Sequence, residues 1–172
     1  MKRTLALGAL LLNAGLALGQ TNPTPVANSP ADEAAVRATV DAIVTSWTNH
    51  DYSDIARWAT PDADWVNIVG MWWKGRDAVR DAHQLFHKAM FRQTPLQTVR
   101  TDVRFVTPDV ALVHHLTRVG VYTTPGGQTM GNDQNLATLV LVKQNGTWLL
   151  TAGQNAVVDA RAAQHDPVNA RH

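Results

Sequence analysis

From residue 29 onward the apolar positions change period several times, and each change marks an element. Ser29-Pro30-Ala31-Asp32 reads as a helix start: Ser29 supplies the cap, Pro30 suits the first turn, and Asp32 stands three residues after the cap. Val36, Val40, Ile43, Val44 and Trp47 then recur at helical spacing, and Asn49-His50-Asp51 ends the run. A second, short helix is predicted around Ser53–Ala59, with Ile55 and Trp58 apolar and Thr60-Pro61-Asp62 as its stop. Asp64–Val69 switches to a period of two: Trp65, Asn67 and Val69 face one way, Asp64, Val66 and Ile68 the other. Gly70-Met71 turns the chain and Trp72-Trp73 begin a short return strand. Gly75 opens a third helix through about Phe91. At roughly 100° per residue, Val79, Ala82, Phe86, Ala89 and Met90 share an apolar face, with His83 inside it and His87 at its edge, toward solvent.

The rest reads as strand. Val99, Thr101, Val103 and Phe105 oppose Arg100, Asp102 and Arg104 with a period of two. Thr107-Pro108-Asp109 turns into a long strand, Val110–Tyr122, which ends at Thr124-Pro125-Gly126-Gly127. Leu136–Lys143 is apolar and β-branched, Asn145-Gly146 is a strong two-residue hairpin turn, and Trp148–Val158 is the last strand. This order implies an α+β fold: three N-terminal helices packed on a strongly curved, mostly antiparallel sheet. The open end of such a curl is a natural ligand cavity.

The first residues read as an address. Lys2 and Arg3 precede an apolar run from Leu5 to Leu18, and Ala17-Leu18-Gly19 offers small residues at the two positions a signal peptidase reads. The run is about 14 residues, short of the roughly 20 needed to span hydrocarbon. Residues 1–19 are therefore expected to be a signal peptide and the mature chain to be periplasmic or extracellular, with no membrane segment. Residues 20–30 carry three prolines and no periodicity, which predicts a linker. The domain is expected over 31–160, with a flexible polar tail over 161–172.

The chain has 172 residues, one domain's worth, with 15 Lys+Arg against 14 Asp+Glu. Without Lys2 and Arg3 the basic count falls from 15 to 13, so the mature charge is −1. So even a balance argues against a nucleic-acid partner. The absence of cysteine rules out disulfide frameworks, thiolate zinc sites, cysteine nucleophiles and lipoprotein attachment.

Gly70-Met71-Trp72-Trp73-Lys74-Gly75-Arg76, His83 and Phe86, Asp109-Val110-Ala111-Leu112-Val113-His114, and Gly146-Thr147-Trp148 with Gln154-Asn155 occur in that order. Together they resemble the SgcJ/EcaC branch of the SnoaL-like group, within the nuclear transport factor 2-like superfamily, over about residues 32–157. The resemblance implies a cone-shaped domain with a deep apolar pocket, commonly a homodimer. It implies no single reaction, since relatives include isomerases, cyclases, dehydratases and binding domains. No Gly-rich dinucleotide fingerprint is present, and no cofactor is expected.

His83 is the candidate catalytic residue, because an imidazole on an apolar helix face is partly desolvated and its pKa shifts. His114 and His115 are adjacent in a strand, so one alone faces the pocket; the resemblance favours His114. Asn67 shares a face with Trp65. Gln154 and Asn155 face opposite ways, and the resemblance points to Asn155. Trp47, Trp65, Trp73 and Phe86 offer apolar contact area for a flat or lipophilic molecule. The expected pocket is thus Trp47, Trp65, Asn67, Trp73, His83, Phe86, His114 and Asn155. His83 and His87 have i, i+4 spacing, but the glutamate of the zincin motif is missing and no metal site is expected. No carboxylate shares the Trp65/Asn67 face, unlike the steroid isomerase relatives, which tilts the expectation toward binding a small apolar or aromatic molecule. An acid/base enzyme using His83 is the alternative. Arg100, Asp102 and Arg104 form a charged stripe, either solvated or facing a dimer partner.

Overall fold

Helix α1 (Pro30–Thr48) starts where the sequence places it. Ser29 Oγ accepts from the Asp32 backbone N–H at 3.1 Å, and Pro30 fills the first turn. The computed structural model describes residues 29–168. The signal segment 1–19, nearly all of the linker and the end of the tail lie outside the described residues. Eight strands and two further helices follow α1: β1 (Ala59–Val66), β2 (Trp72–Lys74), α2 (Arg76–Ala89), β3 (Leu96–Thr107), β4 (Val110–Val119), β5 (Tyr122–Thr123), β6 (Thr129–Met130), β7 (Gln134–Gln144), β8 (Thr147–Val157) and α3 (Ala160–Ala163).

The large sheet has the order β2-β1-β8-β7-β4-β3. Strands β3, β4, β7 and β8 form the expected antiparallel meander. Asn145 (φ 51°) and Gly146 (φ 81°) make its last turn, the left-handed pair that a two-residue hairpin needs. The β1–β2 hairpin joins the meander through β1, which runs parallel to β8. Bulges in β3–β4 and β7–β8 bend the sheet around α1 and α2. Val36 and Val40 of α1 are buried with Val113, Leu139, Leu141 and Leu150 beneath them. The fold class is the expected α+β, with helices on the concave side of a mostly antiparallel sheet.

Three local expectations are corrected. The short helix over Ser53–Ala59 is one 3-10 turn, Ile55–Arg57. Thr60-Pro61-Asp62 does not stop a helix but lies inside β1. Pro61 is tolerated because the β1–β8 register breaks between Ala59 and Asp64, where its missing N–H forfeits no ladder bond. The long strand expected over Val110–Tyr122 ends at Val119. Gly120 there lies so close to the Pro95 ring that a Cβ would come within 2.5 Å of it, and the chain folds over into the β5–β6 hairpin, unforeseen in the sequence. The polar tail opens with the α3 turn, capped by Asp159.

Asp32 does more than cap α1. Its Oδ1 accepts from Lys143 Nζ at 2.7 Å and from Trp148 Nε1 at 3.0 Å, tying the helix start to the β7–β8 hairpin. The bonds from Lys143, Trp148 and Ser29 pull its pKa from 3.8 to about 2. A depressed carboxylate stabilises the fold above its unfolded pKa and loses that contribution as pH falls through the folded value. Asp32→Asn is therefore expected to lower the melting temperature at neutral pH and to flatten the loss of stability between pH 4 and pH 2, measured by thermal melts across that range.

Candidate functional site

Between the concave sheet face, α1, α2 and the β5–β6 hairpin lies a cavity of about 400 Å³. Small-molecule sites fall in the same range, roughly 300–1,000 Å³. Among the described lining residues there is no Lys or Arg, and Asp133, exposed at the rim, is the one carboxylate. Seven of the eight expected residues line it: Trp47, Trp65, Asn67, Trp73, His83, Phe86 and Asn155.

His83 stands in an aromatic cage. Tyr52 stacks on its ring at 4.7 Å and 22°, while Trp65 and Trp73 meet it edge-on at 5.6 Å and 5.1 Å. Its Nδ1 lies 2.8 Å from the Val79 carbonyl oxygen. A carbonyl only accepts, so Nδ1 carries the proton and Nε2 is the free lone pair. Burial pushes the ring's pKa down from 6.5 to about 4, so the imidazole is neutral at pH 7.

His87 is corrected: expected toward solvent, it is 2% exposed. Helix α2 packs on the sheet and also against the loop after α1, so its buried arc is wider than its apolar face. In that loop His50 adopts φ 53° and brings its Nδ1 to 2.8 Å from His87 Nδ1. Tyr52 Oη lies 3.4 Å from His87 Nε2. Burial first, then the neighbouring His50 and His83, push the His87 pKa down to about 4. Burial also holds the Tyr52 phenol protonated far above its ordinary range. Trp47 closes this end, donating Nε1–H to the Thr94 carbonyl at 2.9 Å and touching His87 edge-on.

On the floor, Trp65 Nε1 donates to Asn155 Oδ1 at 3.0 Å. Its indole lies flat over Gly153, where any Cβ would collide with the ring carbons. Asn67 has a structural task as well: its Oδ1 accepts from the Val69 and Met71 backbone N–H groups at 3.0 and 2.9 Å, shaping the β1–β2 turn. His114 is corrected. It is exposed on the convex face, in register with Asp102 and Thr138. His115 faces the cavity, 6% exposed, with Nδ1 at 2.9 Å from Thr101 Oγ1. Arg118 has the parity of His114 and is exposed, the signal that marks the outer set. Arg100 and Asp102 pair at 2.7 Å on that outer face, both largely solvated. Tyr52 and His50 escaped the sequence reading because a left-handed turn, not a periodicity, brings them in.

A deep, mostly apolar cup with a few inward polar groups, on helices and a curved sheet, defines a domain of the α+β class. The model for the SnoaL-like domain matches residues 36–150, and the chain belongs to that family. An uncharacterised protein with a cystatin-like fold from Caulobacter vibrioides is 33% identical, with a TM-score of 0.77 over 80% of this chain and 97% of the other. A ketosteroid isomerase-like protein from Erwinia carotovora atroseptica is 17% identical, with a TM-score of 0.64 over 76% of this chain and 99% of its own. A nuclear transport factor 2-like protein of unknown function from Pseudomonas putida is 19% identical, with a TM-score of 0.60 over 78% and 92%. The last two share the fold alone. No curated protein matches the sequence.

Gly153→Ala is expected to destabilise by about 1–3 kcal/mol through overpacking against Trp65, read by denaturant unfolding. For the histidines the folded pKa lies below the unfolded one, so the unfolded chain takes up protons first. Stability is then complete above about pH 6.5 and falls as pH drops toward about 4. NMR titration should keep His83 neutral, protonated on Nδ1, at pH 6; a midpoint near 6.5 would place the ring in bulk solvent.

Proposed function

We propose that this protein is an exported pocket domain that binds a small, uncharged, largely apolar molecule. The observation that carries the reading is the cavity itself: about 400 Å³, walled by tryptophans and aliphatic residues, with no Lys or Arg among the described lining residues to meet an anion. Aromatic walls favour a flat or alicyclic ligand. The basic start and apolar run of residues 1–19 support export. The motifs from Gly70 to Arg76, Asp109 to His114 and Gly146 to Trp148 support the SgcJ/EcaC branch within the family. A homodimer through the convex sheet face belongs to the same reading. Leu112, Leu116, Leu136 and Val140 share that face, and Leu136 is 39% exposed.

A second reading, an acid/base enzyme of isomerase, cyclase or dehydratase type, is favoured by one observation. His83 Nε2 is unprotonated, lies in the cavity wall and makes no hydrogen bond among the described residues. It ranks second because no carboxylate is hydrogen-bonded to the ring, and a pKa near 4 makes a weak base.

Native mass spectrometry of the mature chain from its own host tests both the occupant and the subunit count. A bound neutral organic mass on a dimer is the expected result; a metal-sized excess removed by chelator would refute the binding reading. The recovered molecule, incubated with fresh protein, should return unchanged. Conversion that His83→Ala abolishes without unfolding the chain would establish the enzyme instead.

A further inference from the structure

Two buried polar atoms on residues that line the cavity have no hydrogen-bond partner among the described residues: His115 Nε2 and Asn135 Oδ1. Buried donors and acceptors are rarely left so, because the full penalty of leaving water remains uncompensated. Their placement is not scattered. His115 of β4 and Asn155 of β8 are in register with Ala137 of β7, one on each side. Asn135 is the next residue of β7 on the same face. Neighbouring strands lie about 4.8 Å apart, so His115 and Asn155 stand roughly 10 Å apart across Ala137. Ala137 carries only a methyl group, which leaves a notch walled by three polar side chains.

Each wall has a defined offer. Asn155 Oδ1 is occupied by Trp65 Nε1, so its amide N–H groups are what it has left to give. Asn135 Oδ1 only accepts. His115 is more than nine-tenths buried and pinned through Nδ1 to Thr101; with the Thr101 hydroxyl donating to Nδ1, Nε2 is a donor. A carboxylate would bring a charge beside Asn135 Oδ1 with no cation to meet it. A bare carbonyl would leave that acceptor unpaired. A hydroxyl satisfies both sides, donating its proton to Asn135 and accepting from Asn155 or His115.

Building on the binding reading above, we propose that the notch around Ala137 is a polar subsite for an uncharged hydroxyl group, so that the ligand is an apolar ring system bearing an alcohol or phenol at one end. The test is calorimetric titration of the purified protein with 2-naphthol and with 2-methylnaphthalene, which differ in shape by little more than hydroxyl against methyl. The expected result is binding of both, with 2-naphthol preferred by about ten-fold. Asn135→Val should erase most of that preference while holding the affinity for 2-methylnaphthalene. Equal binding, or preference for the methyl compound, would overturn the subsite and leave the binding reading standing. A preference that survives in Asn135→Val would overturn its assignment to the notch. Binding of neither probe would overturn the binding reading and the subsite with it. The melting temperature gives an independent check: removing an acceptor that the fold does not use should leave Asn135→Val as stable as the parent or more so. A fall of several degrees would show that Oδ1 already has a structural partner, and the proposal would fail.

Discussion

The contact on which most of this molecule depends is the indole of Trp65 laid over Gly153. It occurs where β1 runs parallel to β8, the one pairing that joins the early hairpin to the C-terminal meander. A parallel join demands a long crossover. Here the crossover holds β2, α2 and every strand from β3 to β7. Because position 153 has no side chain, the indole sits low enough for its N–H to reach Asn155 and for its edge to meet His83. Sheet closure, the cavity floor and the setting of the central imidazole are thus one packing event. A Cβ at that position would disturb all three together.

The cavity's electrical character follows from what surrounds its histidines. His83, His87 and His115 are all pushed down by burial, so three imidazoles enter the wall as neutral groups. A neutral imidazole donates on one nitrogen and accepts on the other. The wall therefore offers hydrogen bonds without offering charge, which suits ligands that carry hydroxyls rather than carboxylates or phosphates. The aromatic rings around His83 add apolar area to this wall without adding charge.

The large elements were legible because each rests on a strong local signal. The capped apolar spacing of α1, the face of α2 around Val79 and Phe86, and the Asn145-Gly146 turn all specify themselves. What failed did so for identifiable reasons. Pro61 reads as a helix stop, yet a register break in a parallel pair accepts it. His114 and His115 were indistinguishable by hydrophobicity because the convex face also carries Leu112 and Leu116; Arg118, two turns of the pleat further on, held the parity. Asn67 and Trp65 both line the cavity, but the amide oxygen of Asn67 is spent on its own turn. Tyr52 and the buried side of His87 come from a single left-handed residue, His50, which periodicity does not register.

His50 and His87 face one another through the same ring atom, Nδ1, at 2.8 Å, and Tyr52 continues the line at 3.4 Å from His87 Nε2. Only one of two facing nitrogens can hold the proton, so the line of hydrogen bonds runs in one direction or the other. If His50 donates to His87, then His87 donates to Tyr52, and the phenolic hydrogen is free to turn away from the pair. If His87 donates to His50, Tyr52 gives its hydrogen to His87 and shows the cavity only lone pairs. The two arrangements differ by the positions of hydrogen atoms, with every heavier atom in place. The same wall can thus carry either polarity, and what sets it is a tautomer rather than a moving loop.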